Sequence, residues 1–262
     1  MAWVGLALLV VSCGEPLATP APAFLTVDGS MDMVELVRIL ASRYEPMVEN
    51  VRFEVTGHGS SYGLRALQSG QVDVAMVSWL SDDLGDGWQA TAVARDGIAV
   101  IVHPRNSLDG LGLLQLQDLF SGRAYEWRAV GGNAVLGAVQ PISREEGAGV
   151  RAAFEALVMD AREVTPRALL FTSPQSVVDY VASHPSAIGY VSMAYVTPAV
   201  KALKVEGELP VPETVRQGAY PLTRELWLVA RKPVGAEVQS WLGYCLSPAG
   251  QQVVGQTFGR VR

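Results

Sequence analysis

The sequence predicts an α/β fold. Short apolar runs typical of strands alternate with segments whose apolar residues recur at helical spacing. Small-residue loops join many of these pairs, so that a unit of strand, glycine- or serine-containing loop and helix recurs along the chain. A length of 262 residues allows one large core or two lobes of ordinary domain size.

The clearest unit occupies residues 53–78. A short β-pattern begins at Phe53, and a glycine-serine turn follows at residues 57–63. A short helix with apolar positions comes next, Gly70 ends it, and a buried strand begins at Val72. The whole segment therefore predicts strand, loop, helix and strand.

The loop of this unit suits an anion. A helix N-terminus presents unpaired amides and partial positive charge, and Ser60 and Ser61 add hydroxyl groups. A single loop of this kind is also compatible with an ordinary turn in which glycine sets the conformation and serine caps the helix. The binding hypothesis therefore depends on similar loops elsewhere in the chain.

Two other segments repeat the pattern. A strand that begins at Phe24 leads to Ser30, which stands at the N-cap position of an apolar helix. A strand at residues 139–142 leads into a loop that ends in Gly147–Val150, where another helix begins. Strand-to-helix loops are where α/β sheets bind ligands, so we expect these loops and Ser60 to face one cleft.

Several motifs resemble a known family, the phosphate-binding proteins of ABC importers (the PstS type of periplasmic binding protein). Residues 57–75 contain G-H-G-S-S-x-G followed by A-L-x-x-G-x-V-D-V-A, which is similar to the family's loop, helix and strand. The resemblance runs in order from about Phe24 to the C-terminus. Its other motifs are L-x-D-L-F-x-G at 116–122 with Trp127, R-x-E-G-x-G at 144–149, S-V-V-x-x-V-x-x-x-P-x-A-I-G-Y-V at 176–191 and Y-P-L at 220–222.

This resemblance implies a two-lobed, type II-like binding protein. Each lobe is then a mixed sheet flanked by helices, and hinge strands join the two lobes. Residues 24–102 plus 196–262 are expected to form lobe I, and residues 103–195 are expected to form lobe II. The apolar segment 97–103 is similar to the family's strand that crosses between the lobes.

The resemblance also implies an oxyanion site. Arg144 then binds the anion through its planar fork, and Glu146 holds that guanidinium in place. Hydroxyl and backbone amide groups complete the implied site, from Ser30, Met31, Ser60, Ser61, Ser78, Ala148, Gly149 and Val150.

Three of these positions depart from patterns found in the family. Ala148 stands where the family has serine, and Val150 stands where it has threonine. A hydrogen bond to a charged group is worth roughly 1.5–3 kcal/mol, so two lost hydroxyls could weaken binding about a hundredfold or more. Ser78 stands where one branch has an aspartate that accepts the proton of hydrogen phosphate; other branches have serine there.

The N-terminal segment predicts export and lipidation. The apolar run Val4–Val11 is too short to span a membrane and is typical of a signal-peptide core. The following residues resemble a lipobox, so residues 1–12 are expected to be removed and Cys13 to carry a lipid. Residues 13–23 would then form a proline- and alanine-containing tether outside the cytoplasm.

The composition of the chain limits the classes of partner that it can bind and the disulfides that it can form. A net charge of −6 and the lack of a Lys/Arg run argue against nucleic acid. The two cysteines give no disulfide framework after lipidation, and the spacing of Cys245 from Trp241 and Leu242 predicts a small core residue. The resemblance to the family implies a monomer without metal or cofactor that binds an inorganic oxyanion and contacts ABC permease subunits.

Two alternatives remain open from the residues. Gly59–Gly63 also fits G-x-S-x-G, the nucleophile elbow of serine hydrolases, with Ser61 as nucleophile and His103 or His184 as base. His58 lies in the same loop and could touch a ligand. A sensor or adhesion module that kept the binding fold for another ligand is the second alternative.

Overall fold

The computed structural model describes Met1 and residues 23–80 and 84–262. Within these residues nine strands form one mixed sheet, in the order β2-β1-β3-β11-β4-β8-β6-β7, with β9 paired to β4. The strands are β1 (Ala23–Gly29), β2 (Val51–Val55), β3 (Val74–Val77), β4 (Trp88–Val102), β6 (Gln140–Arg144), β7 (Leu169–Phe171), β8 (Ala187–Ser192), β9 (Lys201–Ala202) and β11 (Thr223–Arg231). A separate two-stranded ribbon consists of β5 (Gly110–Leu111) and β10 (Lys204–Val205).

Eight α-helices accompany the strands in the described part of the chain. Helix α1 follows β1, α2 lies between β2 and β3, α4 follows β6, and α5 lies between β7 and β8. Their bounds are α1 (Val34–Tyr44), α2 (Ser60–Gln68), α3 (Leu113–Ser121), α4 (Gly149–Phe154), α5 (Pro174–Ser183), α6 (Pro212–Gln217), α7 (Ala236–Leu246) and α8 (Pro248–Val254). None of these helices is long and apolar enough to cross a bilayer.

The long strand β4 connects the two halves of the sheet. Residues 88–97 pair antiparallel with β11, whereas residues 98–102 pair antiparallel with β8. On one side β1 pairs in parallel with β2 and β3, and on the other side β6 pairs in parallel with β7 and β8. The predicted crossing strand is therefore present, and it changes partners between Gly97 and Ile98. The lobe bounds 24–102 plus 196–262 and 103–195 stay a prediction.

The core contains the apolar faces of these elements. In the half that holds β6 and β8, the ring of Phe154 stacks on that of Tyr190 at a centroid distance of 4.0 Å. Near the C-terminus the rings of Phe53 and Trp241 lie 4.8 Å apart, and Cys245 is fully buried. The predicted core role of Cys245 is confirmed.

Two predictions about the N-terminal segment concern residues that the structure does not describe. The signal peptide at residues 1–12 and the lipidated Cys13 lie among residues 2–22, which the structure does not describe. The tether was expected to extend through residue 23, but Ala23 is already the first residue of β1, because its N–H donates to the carbonyl of Asn50 at the start of the β1–β2 pairing.

Candidate functional site

The first predicted loop leaves the carboxyl end of β1. Gly29 has φ +144°, and a Cβ there would lie 2.1 Å from the carbonyl oxygen of Met76. Only glycine permits β1 and β3 to approach so closely at this point. The next residue, Ser30, donates its N–H to the same Met76 carbonyl at 2.8 Å. Its hydroxyl donates to Ser78 Oγ at 2.9 Å.

The second predicted loop follows β2. Gly59 has φ +101°, which L side chains rarely adopt, and α2 begins at the next residue, Ser60. Ser60 Oγ accepts the N–H of Ser78 at 3.2 Å and lies 3.3 Å from Ser78 Oγ. Ser30, Ser60 and Ser78 are all buried, and these contacts join the three predicted serines into one hydroxyl cluster; Ser30 follows β1, Ser60 begins α2 and Ser78 follows β3.

The third predicted loop follows β6, on the other half of the sheet. It begins at Arg144, turns at Gly147 with φ +87°, and leads into α4 at Gly149. A Cβ on Gly149 would lie 2.4 Å from the hydroxyl oxygens of both Ser60 and Ser78. The backbone of the third loop therefore contacts the serine cluster of the other two loops directly.

Backbone donors at this meeting point lack side-chain caps. None of Ser30, Gly59 and Ala148 accepts a side-chain capping hydrogen bond at the helix that it precedes. By contrast, Ser173 caps α5 and Ser247 caps α8 through their hydroxyls. Unpaired N–H groups at helix starts normally find a partner in a side chain, water or a ligand. Within the described residues, no acceptor pairs with the N–H groups of Met31, Ser60, Gly149 and Val150.

A small cavity lies between the loops. Its water-accessible volume is about 10 Å³, close to the space that one water molecule needs. The lining residues are Ser30, Met31, Asp32, Gly59, Arg144, Ala148, Gly149 and Val150.

Arg144 supplies the positive charge, and one prediction about it was wrong. Arg144 is 2% exposed. Its guanidinium forms a fork with Glu145, in which Nε and Nη2 donate to the two carboxylate oxygens at 2.8 and 2.9 Å. Glu146 was expected in this role. It is exposed instead and lines a more open pocket beside Ser61. Glu145 continues from β6 and stays beside the guanidinium, whereas Glu146 lies in the turn that follows and faces solvent.

The remaining contacts of Arg144 orient it toward the cavity. Nε also donates to the carbonyl of Phe171 at 3.0 Å, and Nη2 donates to that of Thr172 at 3.3 Å. Nη2 further approaches Met31 Sδ at 3.9 Å, across the cleft. Within the described part of the chain Nη1 has no hydrogen-bond partner, so one edge of the guanidinium is available to a ligand.

A buried ion cluster that the sequence analysis missed borders the same cavity. Arg224 Nη2 donates to Asp32 Oδ2 and to Asp96 Oδ2, each at 2.7 Å. Asp96 also accepts from the hydroxyl of Ser192 at 2.8 Å. Burial raises the pKa of Asp96 to about 6, against the opposing effect of Arg224. The sequence does contain one indication of this cluster. Arg224 alternates with Leu226 and Leu228 and so shares their strand face, a pattern that predicts a buried charge.

Two predicted ligand residues have other contacts. The N–H of Ser61 donates to the carbonyl of Gly147 at 3.2 Å and so joins the two halves, and Ser61 lines the neighbouring open pocket rather than the small cavity. The N–H of Ala148 donates to the carbonyl of Glu145 at 3.3 Å within its own turn. Their roles as ligand residues stay predictions.

The histidines do not form the arrangement of a serine hydrolase with Ser61. His103 Nδ1 accepts the N–H of Arg105 at 3.0 Å, and His184 stacks on the ring of Tyr180 at 3.8 Å. His58 Nδ1 lies 2.7 Å from Asp28 Oδ2, and most of its side chain is exposed. In the described residues none of these rings makes a hydrogen bond to Ser61.

Comparison with known proteins identifies the class. A family model described as a PBP superfamily domain matches residues 16–249. The chain therefore belongs to the PBP superfamily, a class of binding proteins, and the predicted two-lobed α/β binding fold is confirmed.

Individual relatives narrow the class further. The chain is 27% identical to "Phosphate-binding protein PstS" of Bacillus subtilis over 208 residues, which cover 77% of this chain and 68% of the relative. It is 28% identical to the protein of the same name from Pseudomonas aeruginosa over 255 residues, covering 86% and 79%. The predicted resemblance to the PstS type is confirmed, and the names of these relatives describe binding proteins rather than enzymes.

A solved structure supports the same conclusion. A putative phosphate ABC transporter substrate-binding protein from Clostridium perfringens, crystallised with bound phosphate, superimposes with a TM-score of 0.85. Its identity to this chain is 28%, and the match covers 92% of this chain and all of that one.

Proposed function

We propose that this protein captures inorganic phosphate outside the cytoplasm and delivers it to an ABC permease. The observation that carries the proposal is the small cavity lined by Ser30, by Arg144 and by Met31, Gly149 and Val150, whose N–H groups are uncapped. Phosphate offers four oxygens to such donors, and charge-assisted hydrogen bonds are the strongest that proteins make. The names of the PstS relatives and of the superimposed structure with bound phosphate support this ligand.

In this proposal each loop contributes a defined group. Ser30 and Ser60 give hydroxyls, Ser78 holds both hydroxyls in place, and the N–H groups of Met31 and Gly149 bind oxygens from opposite halves of the cleft. Arg144 binds the anion through Nη1 while Glu145 fixes its plane. The anion thus joins the two halves, and closure about a hinge would follow ligand binding.

The test is calorimetric titration of the full-length protein, refolded to remove bound ligand, with phosphate. We expect micromolar or tighter binding in the wild type and at least a hundredfold loss in Arg144→Ala, since a buried charge-assisted contact is worth about 1.5–3 kcal/mol or more. Arg216→Ala is the matched control, because Arg216 lies on the exposed face of α6 and pairs with Glu213. Failure of the wild type to bind phosphate would refute the proposal and favour a sensor or adhesion module with another ligand.

We further propose that a lipid on Cys13 holds the protein at the membrane. The lipobox-like segment at residues 10–14 supports this. Expression with labelled fatty acid measures the modification directly. We expect label in the wild type and none in Cys13→Ala. Cys245→Ala is the matched control and should keep the label, because that thiol is fully buried. Equal labelling of the wild type and Cys13→Ala would exclude this anchor.

A further inference from the structure

A buried carboxylate joins the first two ligand loops. Asp28 is the last residue but one of β1 and is 5% exposed. Its Oδ1 accepts the N–H of Gly29 at 2.6 Å and the N–H of His58, in the second loop, at 3.1 Å. Its Oδ2 lies 2.7 Å from Nδ1 of His58, which donates to it when that nitrogen carries the proton. One side chain at the end of β1 therefore holds both the backbone and the side chain of a residue in the second loop.

The backbones of the two loops also lie directly against each other. The N–H of Gly59 donates to the carbonyl of Gly29 at 2.7 Å. A Cβ on Gly63, in the first turn of α2, would lie 2.6 Å from the carbonyl oxygen of Asp28. The carboxylate of Asp28 therefore adds two contacts to a junction that the backbone has already brought to close packing.

The partners of this carboxylate indicate what it does. A buried carboxylate is costly unless its oxygens are paired. Asp32 and Asp96 are paired by the guanidinium of Arg224, whereas Asp28 is held by two backbone N–H groups and one imidazole. Hydrogen bonds to an ionised acceptor are about twice as strong as those between neutral groups. The carboxylate therefore fixes the orientation of two peptide groups, each at the start of a ligand loop.

The serines of the site depend on the relative position of these loops. Ser30 comes two residues after Asp28, and Ser60 comes two residues after His58. The hydroxyl of Ser30 donates to Ser78 Oγ at 2.9 Å, and that of Ser60 lies 3.3 Å from the same oxygen. The two hydroxyls meet on Ser78 only while the loops keep this spacing. We propose that Asp28 is a positioning residue, which together with His58 holds the first two ligand loops at the separation that anion binding requires.

This inference rests on the proposed function, and calorimetric titration of the full-length protein with phosphate tests it. Asp28→Ala removes both acceptor oxygens, so that the N–H of His58 loses its partner and the second loop can move relative to the first. We expect phosphate affinity to fall about ten- to a hundredfold, the size of one hydrogen bond to a charged group. His58→Ala removes only the partner of Oδ2 and should weaken binding about two- to tenfold, the size of one ordinary hydrogen bond.

The conservative variant Asp28→Asn separates positioning from charge. The amide keeps an oxygen for the two backbone N–H groups, and its N–H₂ group can donate to Nδ1 of His58 in the other tautomer. Phosphate affinity should therefore stay within about threefold of the wild type, a change of less than one hydrogen bond. A carboxylate that acted only through its negative charge would repel the anion, and both Asp28→Asn and Asp28→Ala would then tighten binding.

Asp73→Ala is the matched control. Oδ2 of Asp73 accepts the N–H and the hydroxyl of Thr26, each at 2.8 Å, so this carboxylate also binds the backbone of β1. It is exposed, however, and does not hold a ligand loop, so Asp73→Ala should keep the wild-type affinity. Unfolding in urea shows which variants are folded during the titration. If Asp28→Ala does not fold, His58→Ala takes its place in the comparison, because most of that side chain is exposed.

The outcomes separate the two proposals. Wild type that binds no phosphate refutes the proposed function and this inference together. Wild type that binds phosphate while folded Asp28→Ala or His58→Ala binds it equally well refutes only the inference. The same holds if Asp28→Asn loses as much affinity as Asp28→Ala, because the acceptor oxygen for the two N–H groups would then not be what matters.

Discussion

Replacing Gly149 by alanine should weaken phosphate binding about ten- to a hundredfold. The new Cβ would lie 2.4 Å from Ser60 Oγ and 2.4 Å from Ser78 Oγ, whereas ordinary contact begins at 3.4 Å. Each oxygen, or the whole third loop, must therefore move by about 1 Å. Such a movement disturbs the hydrogen bonds within the serine cluster and the packing of the third loop against that cluster.

The magnitude follows from the bonds that such a shift breaks. Moving Ser60 Oγ weakens its bond with the N–H of Ser78 at 3.2 Å, and moving Ser78 Oγ weakens its bond with Ser30 at 2.9 Å. Each net hydrogen bond is worth about 0.5–1.5 kcal/mol. Two of them correspond to about 1–3 kcal/mol, which matches the expected loss of about ten- to a hundredfold in phosphate affinity.

Calorimetric titration with phosphate measures the effect, and Gly243→Ala is the matched control. Gly243 lies exposed inside α7, and a Cβ there meets no atom within 4 Å. Alanine at that position should leave phosphate affinity unchanged and stabilise the fold by about 0.5–1 kcal/mol. If Gly149→Ala binds phosphate within threefold of the wild type, the close approach of the third loop to the serines does not govern the site.

Three further changes test other parts of the structure. Ala148→Ser restores a hydroxyl at the cavity wall and should tighten phosphate binding about tenfold in the same titration; unchanged affinity would show that this hydroxyl cannot reach the anion. Tyr190→Phe leaves the buried Ser143 hydroxyl without its 2.7 Å partner and should lower the free energy of unfolding in urea by about 1–3 kcal/mol, an effect that the additional change Ser143→Ala should partly reverse. Asp96→Asn should change the pH dependence of stability. Burial raises the pKa of Asp96 from 3.8 to about 6, so protonation stabilises the folded state fully below pH 3.8, and this contribution is lost as the pH rises to about 6. The free energy of unfolding of Asp96→Asn relative to wild type should therefore increase by on the order of 3 kcal/mol between pH 4 and pH 7, and parallel curves would contradict the assignment.

The loops of the site were predictable because their signals are local. Gly29, Gly59 and Gly147 mark the turns; Gly59 lines the cavity itself, and Gly29 and Gly147 each directly precede a residue of the cavity wall. The positive φ of these glycines and the small residues beside them are requirements of the backbone, which a sequence states directly. The order of strand, loop and helix then follows from apolar periodicity.

The ionic contacts were not predictable in the same way. Asp32 and Arg224 are 192 positions apart, and only the pairing of β11 with β4 brings Arg224 beside Asp96. The choice between Glu145 and Glu146 depends on which side chain continues along β6 beside Arg144 and which begins the turn. Two adjacent glutamates give no signal of that difference in the sequence.

The place of the Asp32–Arg224–Asp96 cluster gives it a role beyond the cavity wall. Asp96 is the register partner of Arg224 and stands immediately before Gly97, where β4 changes its partner from β11 to β8. Buried ion pairs seldom add net stability over apolar residues, but they fix geometry, because a displaced partner leaves a buried charge unpaired. This cluster holds β4, β11 and the first ligand loop to one another, through Asp96, Arg224 and Asp32.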